Sequence, residues 1–409
     1  MSRARKAIGH VDADCFYVSA ERVRDRCLVA KPVGVLGNQG ACVIAKSYEM
    51  KAAGVATGMP IWDAIVKCPD GIYIKRDFYW YEALSRRMLE LAREFSAKVE
   101  YYSIDEFFFE AEASSGETFD DLAARLRDRI WERVGVPVTV GIARSRTLAK
   151  LIGDSAKPFG ARAVLDPEGE AALLAERPVT EITGVAGRRE RRLLPWGIRT
   201  CLDFARADRL LIRELLTVSG EILWWELNGE PARPILTARP LHKTLSRGGS
   251  LGEATDDPVV LLAWLARNLE RLVEELEHHA VRAGRLSVQV CYKDGRVGFG
   301  RTNLNAPSDR FELLIEAARP CLHKAWIPRA RASRMHIIAE SLVPRDQAQL
   351  GLFDPPAGRL DSLARVKREV NARHGRFTLR SAATLPLTEI YRDAANSYDI
   401  CDIRGKQCF

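Results

Sequence analysis

The segment Glu100–Glu110, which reads EYYSIDEFFFE, places two adjacent acids inside an aromatic and branched stretch. Such a composition predicts a buried β-strand over the whole segment. Because neighbouring residues of a strand point to opposite faces, Asp105 and Glu106 cannot both lie on the solvent side of a half-buried sheet. A buried carboxylate is costly unless it is paired or binds a metal ion. The segment therefore indicates a functional pair of acids, with solvated acids at a turn or strand end as the ordinary alternative.

A second strand that ends in acids lies near the N-terminus. Ile8–Val11 is a short apolar run that leads into Asp12, and Asp14 follows after one more residue. If the two strands meet in one sheet, Asp12 joins the other two acids in a cluster that needs cations between its members. Hard oxygen ligands suit Mg²⁺, and two such ions about 3.5–4 Å apart stabilise an in-line phosphoryl displacement. An ordinary acidic surface gives the same spacing, so this pattern alone leaves both interpretations open.

The sequences around these acids resemble the two metal-binding motifs of the Y-family DNA polymerases, the translesion enzymes. The matching segments are Val11–Tyr17 (VDADCFY) and Tyr102–Glu106 (YSIDE). The resemblance extends to about residue 390 and is closest to the UmuC-like branch of the DinB/UmuC superfamily. It implies template-directed, low-fidelity addition of dNTPs to a primer 3′-OH, in translesion synthesis during DNA repair and the SOS response.

The same resemblance implies an α+β, right-hand polymerase fold with a C-terminal tail. The implied domains are a palm (1–12 and 77–165), fingers (13–76), a helical thumb with a helix–hairpin–helix (166–237), a β-α-β-β-α-β little finger (238–342) and a tail (343–409). Independently, the hydrophobic periodicity predicts an α+β palm with two helices on one face of its sheet. The second of these helices, Asp120–Val134, is expected to bury Trp131 together with Leu122, Leu126 and Ile130.

The resemblance also assigns roles to individual residues around the acids. Asp12, Asp105 and Glu106 are implied to be catalytic and to hold two Mg²⁺ ions, with help from the Ala13 carbonyl. The implied nucleotide-binding residues are Phe16, Tyr17, Tyr48, Lys51 and Lys157.

Simple physical arguments accompany several of these assignments. Tyr17 falls where the family places a steric gate, and a ring packed under C2′ excludes a ribose hydroxyl by a clash. Tyr48 and Lys51 lie three residues apart on one helical face, near the helix N-terminus, where a phosphate is favoured. Lys51 stands where many members have arginine and lacks the bidentate fork of that side chain, and Ala45 lacks a hydroxyl that is often found at its position. Lys157 precedes a proline and is therefore expected in an extended or turn conformation. For each lysine, a solvated surface role is the ordinary alternative.

Contacts with DNA are expected from two basic regions. Residues 182–198 resemble a helix–hairpin–helix whose glycine-rich turn presents backbone N–H groups to a phosphate. Gly184 fits this turn, Ala186 replaces its second glycine, and Arg188 is a candidate phosphate contact or a solvated charge. Lys243 and Arg247 lie on the strand that opens the little finger. A sheet that contacts only phosphates would suit an enzyme that must ignore sequence.

A pentapeptide after the little finger resembles the bacterial sliding-clamp-binding motif. It is built from Gln349, Leu350, Gly351, Leu352 and Phe353. Leucine and phenylalanine would fill an apolar pocket while the glutamine sets the register. The expected partners are thus primer–template DNA, a dNTP and a sliding clamp, with accessory UmuD-like subunits or a RecA filament as further candidates. The tail beyond is expected to form a helix over Leu360–Arg373 and a UmuC-like strand over Arg373–Arg380.

Composition adds weak constraints to these assignments. The net charge of +8 favours an anionic partner, although many basic proteins bind no nucleic acid. The nine cysteines form no Cys-x-x-Cys pair, which is typical of a reduced cytosolic protein without structural zinc, with a metal or disulfide at Cys401 and Cys408 as a minor alternative. The sequence contains no membrane-length apolar run and no signal-peptide pattern, so a cytoplasmic location is expected.

Two other functions share parts of this pattern. A non-catalytic, clamp- and DNA-binding adaptor on the same scaffold would lack the metal carboxylates, whereas Asp12, Asp105 and Glu106 are all present. A palm-like nucleotide cyclase uses the same two-metal chemistry but does not need a helix–hairpin–helix, a little finger or a clamp peptide.

Overall fold

The chain folds as two units, each around apolar side chains of its own. The structure, a computed structural model, describes residues 6–37, 42–238, 241–347, 359–375 and 377–388. The described residues up to 238 form the first unit, and those from 241 onward form the second.

The first unit mixes strands and helices along its length. Its strands are β1 (Lys6–Ala13), β2 (Val33–Leu36), β3 (Val43–Lys46), β4 (Ile72–Lys75), β5 (Val99–Tyr101), β6 (Glu106–Glu112), β7 (Val138–Ala143) and β8 (Ala161–Ala163). Its α-helices are α1 (Phe16–Arg24), α2 (Tyr48–Ala52), α3 (Ile61–Lys67), α4 (Phe78–Phe95), α5 (Phe119–Val134), α6 (Arg146–Ala156), α7 (Pro167–Ala175), α8 (Gly187–Leu193), α9 (Cys201–Arg206) and α10 (Arg209–Leu227).

A five-stranded sheet in the order β5-β6-β1-β7-β8 lies at the centre of this unit. The central strand β1 runs antiparallel to both β6 and β7. Because side chains alternate along a strand, Val11 and Phe107 are buried against α4 and α5 on one face, while His10 lies on the other face beside α6. The prediction of an α+β domain with two helices on one face of its sheet is therefore confirmed.

The prediction of one continuous strand over Glu100–Glu110 is wrong in its middle. β5 ends at Tyr101 and β6 begins at Glu106, and Val99 pairs antiparallel with Phe109, so the segment is a hairpin. The N–H groups of Tyr102 and Ser103 both donate to the Glu106 carbonyl at 3.1 Å and hold the turn. The alternation argument failed because Asp105 lies in this turn, outside the strand, which lets both acids lie at one end of the sheet.

A smaller three-stranded sheet, β3-β2-β4, occupies residues 33–75 together with α2 and α3. A hydroxyl fixes the start of α2, because the Met50 N–H donates to Ser47 Oγ at 3.2 Å.

Helix α5 buries Leu122, Leu126 and Ile130 as predicted, but the expectation for Trp131 is wrong. Its side chain is 47% exposed and meets the Phe159 ring edge-on at 5.5 Å. Trp131 therefore covers the turn after α6 instead of the sheet.

Helices α7 to α10 make up the remainder of the first unit. Gly184, just before α8, has a φ of +98°, a conformation that glycine adopts without strain. Helix α10 has a break at Thr217, where φ is +67°. This arrangement is compatible with the expected hairpin of short helices.

The second unit confirms the predicted β-α-β-β-α-β order. Its elements are β9 (Thr244–Thr255), α11 (Pro258–His278), β10 (Val281–Tyr292), β11 (Val297–Ser308), α12 (Phe311–Ala325) and β12 (Ala332–Pro344). The strands form an antiparallel sheet in the order β11-β10-β12-β9. As its alternation predicts, Leu286, Val288, Val290 and Tyr292 of β10 are all buried.

A C-terminal segment packs on α11. Helix α13 (Arg359–His374) agrees with the predicted helix and is followed by a 3₁₀ helix, Ala382–Leu387. The strand expected over Arg373–Arg380 is wrong, because the described residues of that range form the end of α13 and a turn. The clamp-like pentapeptide lies outside the described residues. Within the described part of the chain, every helix is too short or too polar to cross a lipid bilayer.

Candidate active site

The acids predicted from two distant segments meet at one end of the five-stranded sheet. Asp12, near the end of β1, lies directly opposite Glu106 at the start of β6. The Ala13 N–H donates to the Asp105 carbonyl at 3.0 Å, which joins the turn to the same strand end. The Ser103 hydroxyl donates to Asp105 Oδ1 at 2.5 Å. Strand pairing thus brings together three carboxylates from segments more than ninety positions apart.

A histidine that the sequence analysis did not select completes the cluster. One ligand atom each of His10, Asp12 and Glu106 lies within 4.8 Å of the others. The His10 ring is buried against Phe108, with ring centroids 4.6 Å apart, and its Nε2 lies 3.7 Å from Glu106 Oε1. Burial lowers the pKa of His10, so the imidazole is neutral at pH 7. Its position two residues before Asp12, on the same strand face, was the available signal.

Two ammonium groups balance the charge of the acids. Lys157 Nζ lies 2.7 Å from Asp12 Oδ2 and 2.9 Å from Asp154 Oδ1. On α6, Lys150 pairs with Glu106. Lys157, predicted to bind nucleotide, is thus directly at the acid cluster in an extended conformation, as expected. Lys150 was not predicted to belong to the site.

The acids differ in their protonation equilibria. Burial raises the pKa of Asp12 to about 7, although Lys157 acts in the opposite direction. Burial also raises the pKa of Asp105, and the neighbouring Glu106 charge adds to the shift. For Glu106, burial is outweighed by the contacts with His10 and Lys150, which hold its pKa below the usual range. Costly carboxylates of this kind are typical of a functional site.

The chemistry of the donors fits hard divalent cations. Asp12, Asp105 and Glu106 offer carboxylate oxygens, the ligands that Mg²⁺ prefers. The ammonium groups against Asp12 and Glu106 show that positive charge is accepted at both acids.

An aromatic group lies beside the acids. The Tyr17 ring stacks on Tyr81 at 4.7 Å with an interplanar angle of 18° and meets Phe78 edge-on at 5.6 Å. Phe16 is buried and contacts both Tyr17 and Tyr81. Burial and the Asp105 charge raise the pKa of Tyr17 to about 12, so its hydroxyl stays protonated. Tyr17 is therefore a rigid, neutral ring at the edge of the cluster.

Tyr48 and Lys51 occupy the short helix α2. Tyr48 is partly exposed, and its hydroxyl lies 3.4 Å from Asp14 Oδ1. Lys51 is exposed. Asp14, mentioned in the sequence but given no role there, is buried and also contacts Thr139 and the Phe159 N–H.

The residues expected to contact DNA have different surroundings. Arg188 and Lys243 are exposed, as a phosphate contact requires, and so are Gly184 and Ala186. Arg247 is only 8% exposed and pairs with Glu275 of α11. The expectation that Arg247 contacts DNA does not fit this position, because its side chain packs inside the second unit.

Family models match both units of the chain. The impB/mucB/samB family matches residues 11–154, and the C-terminal domain of the same family matches residues 242–352. DNA polymerase IV 2 of Mesorhizobium japonicum is 30% identical over 87% of this chain and 85% of its own length. DNA polymerase IV 1 of Bacillus subtilis is 29% identical over 94% of both chains, and protein UmuC of Salmonella typhimurium is 29% identical over 90% of this chain and 91% of its own.

Solved structures show the same fold. A Y-family DNA polymerase chimera of Dbh and Dpo4 superposes with a TM-score of 0.69 at 24% identity, over 82% of this chain and 99% of that one. DinB from Sulfolobus solfataricus superposes with a TM-score of 0.53 at 23% identity, over 83% of this chain and 99% of its own.

Proposed function

Because the chain belongs to the impB/mucB/samB family and is a UmuC/DinB-like Y-family DNA polymerase, we propose that Asp12, Asp105 and Glu106 form its catalytic centre. In this proposal the three carboxylates and the Ala13 carbonyl hold two Mg²⁺ ions. The reaction is the addition of a dNTP to a primer 3′-OH, in translesion synthesis.

One observation carries the proposal: β1 pairs with β6 so that Asp12 faces Glu106, and the Ala13 N–H donates a hydrogen bond to the Asp105 carbonyl. Bound cations would polarise the reacting oxygens and neutralise charge on the transferred phosphoryl group. The chain itself contributes positioning and electrostatics more than covalent chemistry.

The lysines have a defined part in this chemistry. Lys157 pairs with Asp12 and Asp154. With a cation bound at Asp12, the Lys157 ammonium group would be available for a phosphate oxygen of the incoming nucleotide. Lys150 keeps Glu106 ionised, as a metal ligand must be. Tyr48 and Lys51 of α2 supply further triphosphate contacts, and Phe16 packs behind the Tyr17 ring.

We propose Tyr17 as the steric gate against ribonucleotides. Its ring is held by Tyr81 and Phe78, so it cannot swing away to make room for a 2′-hydroxyl. Selection by a clash requires a rigid wall, and three packed aromatic rings supply it.

The domain assignment is part of the proposal. The proposed domains are a palm (1–12 and 77–165), fingers (13–76), a thumb (166–237), a little finger (238–342) and a tail (343–409). Gly184, Ala186, Arg188 and Lys243 are the proposed contacts to primer–template DNA. The proposed partners beyond DNA and dNTP are a sliding clamp, through the pentapeptide at Gln349, and UmuD-like subunits or RecA.

The adaptor alternative is not favoured, because the relatives named above are polymerases and the three acids come together in space. The cyclase alternative leaves the second unit, which matches a family C-terminal domain, without a role.

Primer extension tests this function. With Mg²⁺, dNTPs and a primed template, the wild-type chain should lengthen the primer, and the Asp105→Ala, Glu106→Ala variant should lose roughly 1,000-fold or more of the rate. Glu110→Ala is the matched control, since Glu110 lies on the same strand but pairs with Lys6 and Lys98 at its far end. A wild-type chain that never extends the primer would sink the proposal, as would a double variant as active as Glu110→Ala.

A further inference from the structure

Asp14 is a buried carboxylate that accepts hydrogen bonds from three donors of the chain itself. It is 3% exposed. Oδ1 faces the Tyr48 hydroxyl at 3.4 Å, the Thr139 hydroxyl lies 3.2 Å from both oxygens, and the Phe159 N–H donates to Oδ2 at 2.7 Å. A carboxylate has about four acceptor sites. These three donors engage both carboxylate oxygens, so Asp14 has less capacity left for a cation than Asp12 two residues earlier, whose side chain contacts Lys157.

The donors to Asp14 come from three separate segments. Tyr48 belongs to α2, Thr139 to strand β7, and Phe159 to the turn after α6. Two of these segments hold residues proposed above to bind the triphosphate: Tyr48 itself, and Lys157, two positions before Phe159. Asp14 thus connects both sides of the proposed nucleotide site to the sheet that carries the acids.

The turn at Phe159 needs such a support. Phe159 has a φ of +50°, which residues other than glycine rarely adopt. Its ring is fixed by Trp131 and by the Arg127 guanidinium, 4.8 Å from the ring centroid. Its N–H is fixed by Asp14, and a hydrogen bond to a charged acceptor is among the stronger ones available. The position of Lys157 follows from that of this turn.

We propose that Asp14 is a positioning residue for the nucleotide site, one that sets the places of Tyr48 and Lys157 without touching metal or substrate. The inference rests on the proposed polymerase function. Loss of such a positioning residue should raise KM for dNTP more than it lowers kcat, because the catalytic acids keep their arrangement.

Single-nucleotide incorporation by Asp14→Asn, Asp14→Ala and Tyr48→Phe tests this inference, at a temperature where circular dichroism shows each variant folded. The expected increase in dNTP KM for Asp14→Asn is about 10-fold, as for loss of one charge-assisted hydrogen bond. Tyr48→Phe combined with Asp14→Asn should cost less than the product of the two single effects, because both act on one contact.

Glu226→Gln is the matched control. Glu226 is fully buried in the same unit and accepts from Thr147 and Arg233, far along the chain from the nucleotide residues. It should lower the melting temperature and leave the dNTP KM unchanged. An unchanged KM in Asp14→Asn, multiplicative effects with Tyr48→Phe, or an equal KM increase in Glu226→Gln would each overturn the inference.

If neither Asp14 variant folds, Thr139→Val decides. It keeps the side-chain shape and removes one hydroxyl from Asp14, so a KM increase of about 3-fold supports the proposal and an unchanged KM refutes it. The wild-type chain in the same assay separates the two claims. Its failure to extend would remove the function and this inference together, whereas extension with unaltered variants removes the inference alone.

Discussion

At the scale of single residues, Asp12 and Glu106 show how one cluster can hold acids of opposite behaviour. They face each other across two strands, yet burial raises the pKa of Asp12 to about 7, while Glu106 stays ionised beside His10 and Lys150. The free-energy cost of a buried negative charge therefore falls mainly on Asp12, and a cation that binds there reduces this cost. The cost is expected to appear as a stability deficit in the metal-free protein.

Asp12→Asn tests this deficit. The pKa of Asp12 in the folded chain, about 7, lies above the value of about 3.9 for an unfolded aspartate. The folded state then binds more protons between these values, so the free energy of unfolding falls as pH rises from about 4 to about 7. Without metal, Asp12→Asn should become more stable than wild type by about 2 kcal/mol as pH is raised from 5 to 8.

Thermal denaturation in chelator at several pH values measures this difference. Saturating Mg²⁺ is the control, since it should stabilise the wild type and not the variant. If the stability difference between Asp12→Asn and wild type did not change between pH 5 and pH 8, the pKa of Asp12 in the folded chain would not be raised.

Tyr17 gives a second prediction at this scale. Tyr17→Ala removes the ring that Tyr81 and Phe78 hold in place, so a ribose hydroxyl no longer meets a wall. The ratio of ribonucleotide to deoxyribonucleotide incorporation should rise by roughly 100-fold, because the clash that discriminates against the ribose hydroxyl is lost. Phe78→Leu keeps the Tyr17 ring and removes one of its two supports, so it should raise the ratio less than Tyr17→Ala does. An unchanged ratio in Tyr17→Ala would place the gate elsewhere.

At the scale of elements, helix α6 positions the basic partners of the acids against the sheet. It packs on β1 and β7, and it carries Lys150 to Glu106. Close approach depends on Gly141 of β7, where a Cβ would lie 2.2 Å from the Ala149 carbonyl oxygen and 2.5 Å from the Gly153 nitrogen. Both neighbours are backbone atoms, so they cannot move without the whole helix.

Gly141→Ala should therefore displace α6 and destabilise the first unit by about 2–3 kcal/mol, the usual cost of overpacking. It should also reduce primer extension, because Lys150 and Lys157 move with the helix. Chemical denaturation and the extension assay measure the two effects. Gly116→Ala is the control for extension: it also strains the backbone, because Gly116 has a φ of +86°, but its added Cβ meets no atom within 4 Å and displaces no helix. Equal stability of Gly141→Ala and wild type would contradict the close packing.

Much of the fold and site followed from local patterns in the sequence. Hydrophobic periodicity predicted the two helices on one face of the first sheet, α4 and α5, because this pattern reports a single buried face. The hairpin around Asp105 was missed because aromatic residues continue through its turn. His10 and Lys150 were missed as members of the site, because their roles depend on strand register and on how α6 crosses the sheet. Arg247 was misassigned because a charged residue at a strand start gives no sign of a buried partner such as Glu275.

At the scale of the whole molecule, the two units have separate apolar cores. The second unit also includes the C-terminal segment: Leu387 and Thr384 are buried, and Glu270 of α11 pairs with Lys367 and accepts from the Ser381 N–H at 2.8 Å. Helix α11 is therefore covered on both sides, although its sequence is amphipathic.

A fragment of residues 241–388 should consequently unfold in one cooperative transition by circular dichroism. A fragment of residues 241–347 lacks the segment that covers Glu270. In this fragment the Glu270 carboxylate loses its partners, and apolar side chains of the core become exposed to solvent. It should be less stable by about 2–4 kcal/mol. Identical unfolding curves for the two fragments would show that the C-terminal segment adds nothing to this core.

The central claim is that Asp12, Asp105 and Glu106 jointly hold the catalytic cations. The most direct measurement is anomalous diffraction from Mn²⁺ in crystals of the chain with primer–template DNA and a non-hydrolysable dNTP. The account predicts two peaks ligated by these three carboxylates, with the nucleotide phosphates beside them. Peaks bound only elsewhere, or a fully occupied nucleotide with no cation at the three acids, would contradict it.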